Sequence, residues 1–377
     1  MKSNYRKLGD FIEESDRRNT DESINRLLGV SIEKRFMPSI ANTVGTDFSK
    51  YKVIHPGEFA YGPVTSRNGD KISIARLQDE EPCIISSSYT SFRVTDESLD
   101  SDYLMLWFMR PEFDRYARFK SHGSAREIFD RDQLCSVELP IPPIQEQKRI
   151  VSAFRAIDDR IQTLERLNDK LAALVTAIVS TVSRDQCELS PLGDLCSLGS
   201  SKRIFAKEYT EAGIPFYRGS EITALSKGAE INDPLYISRE RFEEIKSKYS
   251  VPGKGDILLT AVGTIGNSYQ VEDEEFYFKD GNIIWLRDIE DRMSSYLYSY
   301  MQTERFANDL VGITIGSTQS ALTIDALSAL LIPVPDDAEL IQTNNRLKKL
   351  NELIFRNRRE IRLLRIVKQL LLSELGS

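Results

Sequence analysis

Apolar residues follow a seven-residue rhythm in two long stretches of this chain and a strand-like alternation between them. From Gln145 onward no proline interrupts the first stretch until Pro191. Apolar side chains recur there at Ile150, Ile157, Leu164, Leu171 and Ile178, and in a second series at Phe154, Ile161, Val175 and Val182. This spacing predicts one long helix with a coiled-coil seam, in which Asn168 is the polar member. The second stretch carries Leu350, Leu364 and Leu371 with Thr343 and Asn357 in one series, and Leu347, Ile354, Ile361 and Leu375 with Lys368 in the other. An antiparallel pairing that places Asn168 against Asn357 brings 150 onto 375, 161 onto 364, 171 onto 354, 175 onto 350 and 182 onto 343, so core meets core throughout. Two amides in an apolar seam cost stability but fix register, because any slipped alignment strands them. Lys368 falls opposite Ile157, which marks a place where the pair opens or accepts another subunit. Periodicity alone does not name a partner helix, so two separate helices packed on their own domains remain the plain alternative.

The segments before each helix are the same design written twice. Tyr103 and Leu104 match Tyr296 and Leu297, Phe113 matches Phe306, and Gly123 and Ser124 match Gly316 and Ser317. Leu134 matches Leu327, and Pro140 and Pro142 match Pro333 and Pro335, all at one offset of 193. An earlier matching turn, Leu8-Gly9-Asp10 and Leu192-Gly193-Asp194, sits at an offset of 184, so insertions have accumulated between the anchors. The expected layout is a globular part over 1–143, a long helix over 144–185, a second globular part over 186–337 and a second long helix over 338–377. The class is α+β, with a pseudo-two-fold internal repeat whose two long helices form an antiparallel coiled coil.

Length and charge narrow the function. The 377 residues suffice for two domains that each bury a core. Cys83, Cys135, Cys187 and Cys196 form no CxxC pair, and only His55 and His122 are present, which argues against a zinc site and for reduced thiols. The start MKSNYRKLGDFIEES has no apolar signal segment and no apolar run approaches the ~18 residues of a membrane span, so a soluble, cytoplasmic protein is expected. Net charge is −7, divided as about −3 and −10 on the two globular parts and about +1 and +5 on the helices. Any nucleic-acid contact must therefore come from local basic loops or from partners that supply positive charge.

Two loop pairs carry candidate chemistry. HPGEFAYGPVTSRNGDKISIA (55–75) and VPGKGDILLTAVGTIGNSYQV (251–271) each read as strand, turn, strand. Their tips present Thr65, Ser66, Arg67 and Asn68 in one part and Thr264 and Asn267 in the other, groups that read base edges and that also populate ordinary hairpin tips. The loop SHGSAREIF (121–129), with Ser121, Ser124 and Arg126, matches TIGSTQSAL (314–322), with Ser317, Thr318 and Gln319. Gly-Ser there can bring backbone amides to a phosphate. Lys202, Arg203, Arg218 and Ser220 are further polar points in an acidic domain. Catalytic signatures are missing: there is no GxxxxGK[ST], and Ile141-Pro142-Pro143-Ile144 lacks the polar first residue of an amino-methyltransferase tetrapeptide. Asp233, Glu244 and Lys246 can be drawn as a nuclease set but read more simply as a charged helix face. No catalytic residue and no metal ligand is assigned.

With LPIPPIQEQKRIV entering the first heptads, GDILLTAVGTIG, the Gly-Ser loops and the duplicated layout, essentially the whole chain resembles the specificity subunit of a type I restriction-modification system. The resemblance implies two target-recognition domains, each reading one half of a bipartite, asymmetric double-stranded DNA site, and a coiled coil that sets the spacer. About 33 paired residues would make a strut of roughly 50 Å, longer than the ~34 Å turn of B-DNA. It also implies two modification (methyltransferase) subunits using S-adenosylmethionine, and restriction (motor-nuclease) subunits using ATP and magnesium, with no cofactor on this chain. PVPDDAELIQ in the second half departs from PIPPIQEQKR by losing the counterparts of Gln145 and Gln147. The competing readings are a coiled-coil scaffold and an acidic DNA mimic, neither of which needs two diverged loop sets on one frame.

Overall fold

A computed structural model describes residues 5–40, 45–66, 68–123, 126–182, 187–231, 233–314 and 321–376. The chain divides into a first unit, residues 1–161 with 363–377, and a second unit, residues 162–362. Both divisions fall inside the long helices Ile144–Thr181 and Asp337–Glu374. Neither helix contains glycine or proline, so nothing interrupts its backbone hydrogen bonding.

The first unit centres on a four-stranded sheet ordered Ile12–Glu14, Thr90–Val94, Phe59–Tyr61 and Ile74–Arg76, antiparallel throughout. Tyr5–Lys7 pairs with Glu138–Pro140, and two short ladders, Leu28–Val30 with Phe36–Pro38 and Lys52–Ile54 with Cys83–Ile85, are added beside it. Phe59, Phe92 and Phe108 join the core with Val151, Phe154 and Leu372 of the long helices. Asp100 caps the helix Ser101–Phe108 by accepting from the Asp102 and Tyr103 amides.

The second unit repeats this frame. Its sheet runs Ser197–Gly199, Ile283–Arg287, Ile257–Thr260, Ser268–Gln270, and Glu188–Pro191 pairs with Leu331–Val334. The offset of 193 holds in atomic detail. Tyr103 Oη donates to the Pro140 carbonyl at 3.2 Å, and Tyr296 Oη donates to the Pro333 carbonyl at 2.6 Å. Asp130 and Thr323 cap equivalent short helices, Arg131–Cys135 and Ile324–Ser328. The frames differ in what is inserted: the second unit adds a sheet of Tyr209–Thr210, Leu235–Ile237, Ile214–Tyr217 and Tyr277–Phe278, with the helices Gly219–Ser226 and Arg239–Tyr249.

The long helices pack antiparallel. Lys368 pairs with Asp158 in the first unit, and Asn357 Nδ2 donates to Asn168 Oδ1 at 2.9 Å in the second. Lys368 thus has a partner one residue beyond Ile157, where the heptad count expected an opening. Ile161, Leu164, Leu171, Val175, Ile354 and Ile361 are buried as the heptads predict. Towards the ends the buried positions move by one residue, to Val151, Val179 and Leu372 in place of Ile150, Ile178 and Leu371. A straight helix drifts by ~20° per heptad, and here the globular frames cover the face it turns toward.

That second face also explains Gln147, which is fully buried. Its Oε1 accepts from the Asp100 amide at 2.8 Å, while Nε2 donates to the Ser98 and Pro142 carbonyls at 2.7 and 2.8 Å. In the second unit Asn344, four residues after the position matching Gln147, accepts from the Tyr296 amide at 3.1 Å and donates to the Asp291 carbonyl at 2.9 Å. The missing glutamine is thereby replaced in function, since each long helix ties down the short helix packed on it through buried side-chain amides, Gln147 in the first unit and Asn344 with Asn351, which donates to Ser299 Oγ at 3.0 Å, in the second.

Candidate nucleic-acid interface

In each unit the two loops singled out from the sequence are hydrogen-bonded to one another. In the first, the Phe129 amide donates to the Pro63 carbonyl at 2.8 Å and the Thr65 amide to the Glu127 carbonyl at 3.0 Å. In the second, the Leu322 amide donates to the Ala261 carbonyl at 2.9 Å, and Val262 bridges Ala321. Phe129 and Leu322 are 193 apart, so the loop pairing belongs to the repeated frame. A hairpin tip and a helix-connecting loop, each tied to a rigid sheet, form one platform per unit.

The platform of the first unit uses some of its polar groups internally. Thr65 is buried and its Oγ1 donates to Ser121 Oγ at 2.9 Å, while Ser121 Oγ donates to the Ala117 carbonyl at 2.7 Å. These two hydroxyls join the loops, and the outward groups are Ser66 and Arg126, both exposed, with Asn68 half-buried. Arg67 and Ser124 lie outside the described residues. Gly123 has φ +135°, and a Cβ there would stand 2.2 Å from the Arg126 carbonyl oxygen, so the turn requires glycine. Arg118 is paired with Glu127 at the edge of the platform. Sequence pattern did not single out Phe119 or Lys120, which end the helix Pro111–Lys120 beside this loop. Phe119 is 83% exposed.

In the second unit, hydrogen bonds gather the scattered candidates around the hairpin tip. The Ala261 amide donates to the Asn282 carbonyl at 2.8 Å, and the neighbouring Gly281 amide donates to Ser200 Oγ at 3.3 Å. Arg203 Nε donates to Asp280 Oδ2 at 2.7 Å, and the Lys279 amide to the Tyr217 carbonyl at 2.8 Å, which brings Arg218 alongside. Thr264 is exposed with its Oγ1 2.9 Å from Thr223 Oγ1, and Asn267 Nδ2 donates to the Thr264 carbonyl at 2.9 Å. Lys202 lays its Nζ 4.5 Å from the Tyr249 ring centre. Ser317, Thr318 and Gln319 lie outside the described residues.

Arg218 and Ser220 both serve Glu221. Arg218 Nε and Nη2 donate to its two carboxylate oxygens at 3.2 and 2.6 Å, and Ser220 Oγ donates at 3.0 Å. Burial works against the ionised Glu221, but these bonds outweigh it and hold its carboxyl below the usual carboxylate range. Lys279, Asp280 and Asn282 carried no sequence signal, because their place is decided by the sheet that brings residue 282 to residue 261. Among the described residues no group of three His, Cys, Asp or Glu side chains could hold a metal, and no helix is long and apolar enough to cross a membrane. What both platforms offer is hydroxyls, amides and guanidinium groups on a fixed backbone, the chemistry that reads base edges and phosphates.

Comparison with known proteins agrees with this layout. A protein of Haemophilus influenzae provisionally named as a type I restriction enzyme specificity subunit is 30% identical over 225 residues, which are 56% of this chain and 55% of that protein. The match thus spans about half the length of that relative. A type I restriction enzyme specificity subunit of Methanocaldococcus jannaschii is 22% identical over 305 residues, 75% of this chain and 69% of that one. The crystal structure of a type I restriction-modification S subunit from M. genitalium shares the fold, with a TM-score of 0.57 at 15% identity over 99% of this chain and 96% of that one. The family model for the type I restriction modification DNA specificity domain matches residues 31–173 and again residues 185–361. A frame built twice, matched twice by one family, places this chain in the type I restriction modification DNA specificity family.

Proposed function

We propose that this chain is the DNA-reading subunit of a type I restriction-modification complex in the cytoplasm, each unit reading one half of a bipartite site and the helix pair setting the spacer. The carrying observation is the pair of equivalent loop platforms, joined by Phe129 to Pro63 and by Leu322 to Ala261, on frames whose insertions differ. One frame with two loop sets suits two unlike half-sites. The candidate contacts are Ser66, Asn68 and Arg126 with Arg67 and Ser124 in the first unit, and Lys202, Arg203, Thr264 and Asn267 with Ser317, Thr318 and Gln319 in the second. Thr65, Ser121, Arg218 and Ser220 hold these loops in place.

The chemistry belongs to partners: two modification subunits that methylate with S-adenosylmethionine, and motor-nuclease subunits that use ATP and magnesium. The net charge of −7 supports a shared interface, since phosphate neutralisation must come largely from other chains. On the second long helix Leu363, Ile366, Val367 and Leu370 are 44–60% exposed along one face, an apolar stripe suited to a partner helix.

The test is genome-wide methylation mapping in cells that express the modification subunit with and without this chain. A bipartite motif that disappears with the chain is the expected result; an unchanged methylation pattern with both proteins folded would sink the proposal. Arg126→Ala should relax only the half-site of the first unit.

A further inference from the structure

Arg203 is held in a way that leaves its working end open. Its side chain is 68% exposed while that of Asp280 is 17% exposed, and the one bond between them uses Nε. Neither Nη1 nor Nη2 meets an acceptor among the described residues. Asp280 is itself fixed, because the turn that follows it is tied on both sides, Gly281 to Ser200 and Asn282 to Ala261 of the hairpin tip. Gly281 has φ +75°, a left-handed turn that sets the carboxylate behind the guanidinium. Arg218 makes the contrast: Glu221 takes both its Nε and its Nη2, which closes that fork.

A guanidinium gripped at Nε presents two parallel N–H groups from its far end, fixed in direction before any ligand arrives. On the major-groove edge of DNA the base with two adjacent acceptors is guanine, through N7 and O6. A phosphate also takes two donors, but the Asp280 carboxylate directly behind Arg203 offsets its charge and repels a second anion. Preorganisation with reduced net charge favours reading a neutral base edge over neutralising the backbone. We infer that Arg203, aimed by Asp280, donates from Nη1 and Nη2 to O6 and N7 of one guanine in the half-site of the second unit. Arg203 is thus a specificity-determining residue and Asp280 its positioning residue. The assignment rests on the DNA-reading function proposed above.

The experiment uses the full chain assembled with its modification subunits and duplexes carrying the methylated motif, in which each guanine is replaced in turn by 7-deazaguanine, which lacks the N7 acceptor. One guanine of the second half-site should show a loss in affinity at the lower end of about 5- to 150-fold, the range of a bidentate base contact, because O6 remains. Arg203→Ala should lose more than this on the natural duplex, within the same range, and should bind the natural and that deaza duplex equally. Arg203→Lys should not restore discrimination, because an ammonium has no fork. Asp280→Asn should keep the melting temperature and the salt dependence of binding yet lower discrimination at the same guanine alone. An Arg203→Ala variant that loses affinity equally on every duplex with a shallower salt dependence, or one that loses nothing, overturns the assignment while the bipartite preference of the wild-type complex stands. A wild-type complex with no bipartite preference overturns the DNA-reading function and this assignment with it.

Discussion

Asn168 and Asn357 meet amide to amide at 2.9 Å, but they are not equally placed, since Asn357 is 3% exposed and Asn168 is half-buried. Replacing Asn168 by leucine strands the Asn357 amide away from water and should cost about 1–3 kcal/mol. Replacing Asn357 should cost less, because Asn168 can turn to solvent. With leucine at both positions the chain should be as stable as the original or more so, at the expense of register. Urea unfolding of the four chains checks this ordering, and equal losses in the two single variants would contradict it.

Gln147→Leu leaves the Asp100 amide and the Ser98 and Pro142 carbonyls without their side-chain partner and should cost about 3 kcal/mol. Asn344→Leu, which frees two groups, should cost about 1–3 kcal/mol in the second unit. Differential scanning calorimetry reads both losses. A Gln147 variant with wild-type stability but failed assembly would make that residue a partner contact.

The two equivalent glycines should respond differently to alanine. At Gly9 a Cβ would stand 2.9 Å from Cys135 Cβ and 3.1 Å from the Cys135 carbonyl oxygen, so backbone must move and about 1–3 kcal/mol is expected. At Gly193 the closest atom is Ser328 Oγ at 2.1 Å, with Ser328 Cβ at 3.3 Å. A hydroxyl can rotate away, so Gly193→Ala should be the milder change. Thermal melts of both variants decide the order.

Burial, with help from Glu274, pushes the Glu272 carboxyl above its ordinary range, against the pull of Arg362 and Arg358. The folded chain therefore binds this proton more tightly than the unfolded chain, and ionised Glu272 opposes folding above its folded pKa. That penalty lifts as pH falls through the folded value and is gone below the ordinary glutamate value. Glu272→Gln should accordingly stabilise the protein at neutral pH, with an advantage that fades on acidification. Urea midpoints of both chains from pH 7 to 4 measure the difference, and an advantage independent of pH would assign it to packing.

Deleting one heptad from each long helix should shorten the spacer of the methylated motif by about 10 Å, some three base pairs at ~3.4 Å each, and leave both half-sites unchanged. Motif mapping reads the result directly. A constant spacer would refute the helix pair as the ruler.

The long helices, their antiparallel match through Asn168 and Asn357 and the repeat at 193 were legible because each rests on periodicity or identity along the chain, which the backbone geometry of a helix or a duplicated frame turns directly into position. Local caps such as Asp100 and Asp130 act over two or three residues and are equally a property of the chain. The second burial face of the helices was not legible. Val151, Val179 and Leu372 are buried by frames that approach from elsewhere in the chain, and the same frames bury Gln147, whose oxygen the Asp100 amide needs.

The platforms divide the same way. That two loops per half matter could be read from their composition and repetition, but that they touch depends on Pro63 and Ala261, whose partners lie dozens of residues away. Hydroxyls that looked available, such as Thr65 and Ser121, are consumed in joining the loops, whereas Asp280, without any motif, takes hold of Arg203. Residue type and spacing determine which groups a chain can offer. Which of them remain free to meet a ligand is decided only when tertiary hydrogen bonds have claimed the rest, because every polar group drawn inside must find a partner there.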